Sequence, residues 1–157
     1  MTKKEIAIAS DHGGYELKQK LISYLKNKRY KIQDLGTKSA QKRVDYPEYA
    51  ARVALAISSG AFSQGILICS SGVGMSIAAN RFPNVRASLC YNPKIAQHTR
   101  KHNFSNILCL GAQFTDAPNA QKITRAWLKT PPSREKRHKK RVSMIEEINF
   151  PRCPGCF

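Results

Sequence analysis

Short apolar runs alternate along this chain with longer stretches in which apolar positions recur every three or four residues. That is the mark of strands interleaved with amphipathic helices. Ile6 to Ala9 reads as a buried strand, ended by the turn-forming Asp11-His12-Gly13-Gly14. Leu17, Leu21 and Leu25 then line one helical face, closed by Asn27 to Arg29, and Tyr30 to Leu35 alternates as a second strand before Gly36. A polar connection, Thr37 to Val44, leads to Asp45-Tyr46-Pro47, where Asp45 is placed to cap a helix with proline in its first turn. Tyr46, Tyr49, Ala50, Val53 and Ile57 repeat at helical spacing up to Gly60.

Gly65 to Cys69 is a third apolar strand, running into Ser70-Ser71-Gly72-Val73-Gly74 and a short helix from Met75 to Asn80. Ala87 to Cys90 and Asn106 to Leu110 supply two more strands, separated by a helix over Pro93 to Lys101. Ala117 to Leu128 is helical, Pro131-Pro132 interrupts, and a basic helix spans Ser133 to Asn149. Five strands alternating with helices predict an α/β chain: a three-layer Rossmann-like fold with a five-stranded parallel sheet in a single domain, residues 1–149. Residues 150–157, ending Pro-Arg-Cys-Pro-Gly-Cys-Phe, read as a disordered tail. Ligands of such sheets bind beyond the carboxyl ends of the strands, so the loops at 11–14 and 69–74 should face one crevice.

Composition narrows this little. The length, 157 residues, suits one core, and no apolar stretch approaches the ~20 residues of a membrane span. The amino end lacks the apolar segment of a secretion signal. Five cysteines, an odd number, argue against a disulfide framework and for a reducing cytoplasm. The net charge of +17 would attract nucleic acid or small phosphorylated metabolites alike, and a lysine-dressed surface would produce it with no partner at all.

The loop after the third strand carries more. Its glycines permit positive φ and close backbone approach, and the helix that follows offers its amino-terminal partial charge to an anion. Cys69, at the strand end, could be a nucleophile or a base drawing a proton from carbon, or only the last buried residue of an apolar strand. The loop lacks the Gly-Lys-Ser/Thr ending of a Walker phosphate loop and the third glycine of a dinucleotide fingerprint. Arg137 and Arg141, at i and i+4, project from one helical face as a phosphate clamp or a solvated basic face. Asp11 could serve a ligand or simply cap a turn.

Five segments together decide more than any one. Asp11-His12-Gly13, Asp45-Tyr46-Pro47, the run Ile68 to Asn80, Arg100-Lys101-His102-Asn103 and Arg137-His138-Lys139-Lys140-Arg141 resemble, in order and over about residues 4–149, one family of sugar-phosphate isomerases. It comprises ribose-5-phosphate isomerase B, the galactose-6-phosphate isomerase subunits and allose-6-phosphate isomerase.

The resemblance implies a metal-independent, cofactor-free aldose–ketose isomerase of the pentose phosphate pathway. It would interconvert ribose 5-phosphate and ribulose 5-phosphate through an enediolate. It also implies a homodimer or homotetramer whose active site is shared between subunits; neither a membrane nor nucleic acid is an expected partner. A hexose 6-phosphate on the same site is the nearest alternative, and a non-catalytic basic binding protein a more distant one.

The implied catalytic set is Cys69 as base, His102 as ring-opening acid and Ser71 beside the enediolate. In this family the base is a Cys at the strand end or a Glu in the following helix, and here that second position is Met75. Asp11 and His12 would hold the substrate's ends, and Arg137 and Arg141 its phosphate. Ser70, Asn103 and the backbone of Gly72, Val73 and Gly74 would contact the sugar and its enediolate oxygen. His98, one helical turn before His102, is read as surface.

Two positions depart from the family. Ser70 stands where many relatives have glycine, and Gln113 where relatives often carry an arginine at the phosphate. Cys153 and Cys156 amount to half a zinc site, so no metal is expected there.

Overall fold

The computed structural model describes residues 5–148. The tail expected at 150–157, with Cys153 and Cys156, lies outside them. The strands are β1 (Glu5–Ser10), β2 (Lys31–Asp34), β3 (Gly65–Cys69), β4 (Ala87–Leu89) and β5 (Ile107–Gly111). The helices are α1 (Tyr15–Asn27), α2 (Tyr46–Ser58), α3 (Val73–Ala79), α4 (Pro93–Asn103), α5 (Ala117–Lys129) and α6 (Lys136–Glu146). All strand pairings are parallel, in the order β2-β1-β3-β5-β4. The chain winds outward from β1 to β2 and then in the other direction to β3, so the order reverses between β1 and β3. The crevice outside their carboxyl ends is where such sheets bind ligands.

Alternation along the central strands builds the three layers. Ile6, Ile8, Ile66 and Ile68 face a core shared with Leu17, Leu21 and Leu25 of α1 and with Ile123 and Trp127 of α5. Ala7, Ala9, Leu67 and Cys69 face the opposite core, with Tyr49, Ala50 and Val53 of α2 and Met75 of α3. Lys18 falls on the same stripe of α1 as Leu21 and Leu25 and is fully buried. Its ammonium donates to both carboxylate oxygens of Asp34 (2.6 and 2.8 Å) and to the Thr37 carbonyl (2.7 Å), fixing the end of β2. Burial pushes its pKa below the ordinary lysine value, against the Asp34 contact that raises it.

Element boundaries shift at the functional ends. α4 runs two residues beyond the expected Lys101, so His102 and Asn103 are helical; Phe104, at φ +53°, stops it. α6 is shorter at both ends than Ser133 to Asn149, and α3 starts at Val73, immediately after a left-handed Gly72. Asp45 holds the cap position of α2 without a side-chain hydrogen bond. No helix among the described residues is long and apolar enough to cross a membrane.

Candidate active site

At the switch point the first and third loops interlock. The Asp11 N–H donates to the Ile68 carbonyl (3.2 Å), carrying the β1–β3 pairing into the loop. The Asp11 carboxylate accepts from the Gly14 N–H (2.9 Å), so it does cap the following turn, and it is nearly buried. A Cβ on Gly13 would stand 2.5 Å from Ser70 Oγ, and one on Gly14 2.5 Å from the Ile68 carbonyl oxygen. His12 turns Nδ1 toward Val44: in one tautomer it accepts from the Val44 N–H (3.3 Å), in the other it donates to the Val44 carbonyl (3.2 Å). Nε2 is left for a ligand.

Cys69 lies at the rim of the α2/α3-side core, 4% exposed. Its Sγ accepts the Gly72 N–H across 3.0 Å, and Gly72 reaches that position at φ +79°. Ser71 Oγ accepts from the Val73 N–H at 3.2 Å. Of the backbone donors expected to serve an enediolate, those of Gly72 and Val73 are thus engaged within the loop. The Gly74 N–H is a second-position donor of α3, which has no carbonyl within the helix to meet. Gly74 itself lies under Tyr46, where a Cβ would come within 2.6 Å of the ring. Ser70 is not among the positive-φ residues, so the side chain that replaces glycine there sits on an ordinary backbone. Met75 is fully buried, a packing residue where a carboxylate would otherwise be.

The fifth strand backs this loop. The Ala112 N–H donates to the Cys69 carbonyl (2.9 Å) and the Gln113 N–H to the Ser70 carbonyl (3.0 Å), while the Gln113 side chain is exposed. Two further cysteines lie among the described residues. Burial pushes the Cys90 thiol up to about 11 and Cys109 well above its ordinary value, and both belong to the core.

His102 and Asn103 lie on α4, and Arg137 and Arg141 on α6, which packs against it. α4 leaves the carboxyl end of β4 and returns to the amino end of β5, so His102 lies at the opposite edge of the sheet from Cys69. Five strand residues at ~3.3 Å each put that separation at roughly 15 Å. His102 stacks on His138 of α6, ring centroids 4.3 Å apart, and its Nδ1 lies 3.1 Å from His98 Nε2. Desolvation, then His98, His138, Lys101 and Arg137, hold the His102 imidazolium below its ordinary pKa. Arg137 Nε donates to Glu135 (2.7 Å), which holds that carboxyl below the usual range, whereas Arg141 is exposed with no ion-pair partner among the described residues. Asn103 is exposed beside a groove of about 520 Å³ along β4.

The expected residues therefore fall into two groups: Asp11, His12 and Cys69 to Gly74 in one, and His102, Asn103, Arg137 and Arg141 in the other. The chain does not bring the two groups together. The burial of His138 and the bond between His98 and His102 went unread in the sequence; the four-residue spacing of His98 and His102 was the available signal. Among the described residues no group of three or more His, Cys, Asp or Glu is disposed to hold a metal ion.

Comparison with known proteins bears on this arrangement. The profile of the Ribose/Galactose Isomerase family matches residues 6–145. Ribose-5-phosphate isomerase B of Escherichia coli is 42% identical over 145 residues, 92% of this chain and 96% of that one. The crystal structure of a ribose 5-phosphate isomerase from Thermotoga maritima superposes with a TM-score of 0.88 at 44% identity, covering 92% of this chain and 98% of that one. Type B ribose 5-phosphate isomerase of Trypanosoma brucei gives 0.88 at 37% identity, with the same coverage.

Proposed function

This chain belongs to the ribose/galactose isomerase family, and on that footing we propose that it interconverts ribose 5-phosphate and ribulose 5-phosphate. The observation that carries the reading is the Gly72 N–H aimed at Cys69 Sγ within a glycine-rich loop at the switch point of the sheet. That N–H is placed to donate to the sulfur, and the thiolate is the form able to take a proton from carbon.

In this reading the opened sugar lies with C1 and C2 over the third loop. Cys69 as thiolate removes the C2 proton, and the electron pair moves toward C1 to form an enediolate whose developing oxygen charge meets Ser71 and the Gly74 N–H. A proton shifts from O2 to O1, the Cys69 thiol exchanges its proton with solvent and then protonates C1, and the sulfur ends as the thiolate it began as. His12 Nε2 and Asp11 hold the phosphate and hydroxyl ends respectively. His102 gives a proton to the ring oxygen as the C1–O4 bond breaks, and the anomeric hydroxyl passes its proton to solvent, from which His102 regains one. A depressed pKa makes its imidazolium a stronger acid toward that weakly basic oxygen.

His102, Arg137 and Arg141 sit too far from Cys69 of the same chain to share one substrate with it. A second copy of the chain therefore completes each site, in a homodimer or a tetramer built of such dimers. Its Arg137 and Arg141 would take the phosphate, and its Asn103 the sugar.

Ketose formation from ribose 5-phosphate by the purified chain is the test. Turnover that depends on Cys69 supports the proposal; no turnover overturns it. The exposed amide of Gln113 gives a second reading its one foothold. A clamp without an arginine there could serve a hexose 6-phosphate, and kcat/KM for the two sugar phosphates separates these.

A further inference from the structure

Among the described residues His102 has no carboxylate partner. On α4 it faces His98 and Lys101; from α6 it faces His138 and Arg137. Glu135 is taken up by Arg137 Nε at 2.7 Å and stands 3.7 Å from His138 Nε2. A histidine that exchanges protons usually has its second ring nitrogen held by an acid or a carbonyl, which fixes both tautomer and ring rotation. Here that second nitrogen, Nδ1, meets the Nε2 of another imidazole at 3.1 Å. The His138 ring lies nearly parallel to His102, at 11°, and blocks one face, so the ring is held by a bond at one end and a stack across its plane.

We propose that His98 is the positioning residue of the ring-opening acid: its Nε2 accepts the Nδ1–H of His102, so that His102 exchanges protons with substrate at Nε2 alone. This rests on the reading of His102 as that acid. Two neutral imidazoles share one proton across such a bond. Only the arrangement with the proton on His102 Nδ1 leaves Nε2 bare after it has given its proton to the ring oxygen. A neutral acceptor also adds no negative charge to a cluster that already carries Lys101 and Arg137. His102 therefore stays easy to deprotonate, in line with its lowered pKa.

The test compares His98→Leu and His98→Gln in the full-length protein, with ring ¹⁵N shifts of labelled histidine as the first readout. In the parent and in His98→Gln, whose amide oxygen accepts but does not titrate, neutral His102 should carry its proton on Nδ1. In His98→Leu it should move to Nε2. His98→Leu should lose about tenfold in kcat with KM little changed, and His98→Gln should keep parental kcat. An unchanged tautomer in His98→Leu overturns the proposal, as does a His98→Gln variant as impaired as His98→Leu. The nitrogen shifts need no substrate. A parent without isomerase activity would therefore sink the isomerase reading, and the tautomer would still decide the pairing.

Discussion

Gly72 and Cys69 are joined by a short amide-to-sulfur hydrogen bond, 3.0 Å from N to Sγ, that exists only because Gly72 takes up φ +79°. The same glycine is packed on its other side, where a Cβ would stand 2.5 Å from Leu89 Cδ1 and 2.8 Å from the Leu110 carbonyl carbon. Gly72→Ala therefore combines left-handed strain with a clash against backbone. It should cost about 2–4 kcal/mol of stability, read as a lowered urea midpoint. A stability change within 0.5 kcal/mol, roughly the scatter of neutral surface substitutions, would mean the loop is not held as described.

Arg141 is exposed and has no ion-pair partner among the described residues, whereas Arg137 is tied to Glu135. Arg141→Ala should leave the melting temperature unchanged and raise KM for ribose 5-phosphate about tenfold, the order expected for one charge-assisted hydrogen bond. An unaltered KM would remove Arg141 from the phosphate site.

The separation of the two clusters predicts complementation. Cys69→Ala and His102→Ala, each nearly inactive alone, should regain about a quarter of parental activity per chain when unfolded together and refolded. Half of randomly paired dimers are then mixed, and each mixed dimer holds one intact site. A mixture as inactive as its components would show that each chain supplies both residues to its own site.

The fold was legible because its signals are local and redundant: alternating apolar strands, four-residue leucine spacing, and turn residues at each junction. The site was legible only in halves. The Cys69–Gly74 loop declares itself by composition, whereas Lys18 looks like any surface lysine until the Asp34 carboxylate and the Thr37 carbonyl are seen around it. The same holds for α4. Nothing in Arg100-Lys101-His102-Asn103 tells that Arg100 lies over Trp127, 4.9 Å from its ring, and bonds the Ser105 and Thr130 carbonyls to lock the helix end. Contacts across the sheet's outer layer come from distant segments and leave no periodic trace.

The lowered pKa of His102 gives stability a pH slope with a definite sign. Below its ordinary value of 6.5 the unfolded chain takes up this proton while the folded chain resists it. The unfolded state thus binds more protons in that window, and stability must fall as pH drops through it. His102→Asn should flatten that part of the urea midpoint against pH, while a slope as steep as the parent's would place its origin elsewhere.

Proton transfer at carbon can be watched directly by running ribose 5-phosphate turnover in D₂O and reading deuterium at C1 of the ketose by NMR. The parent should place one deuterium at C1 and Cys69→Ala essentially none, a loss of at least about a thousandfold in exchange rate. Exchange by Cys69→Ala at the parental rate would contradict the assignment of that sulfur as the base.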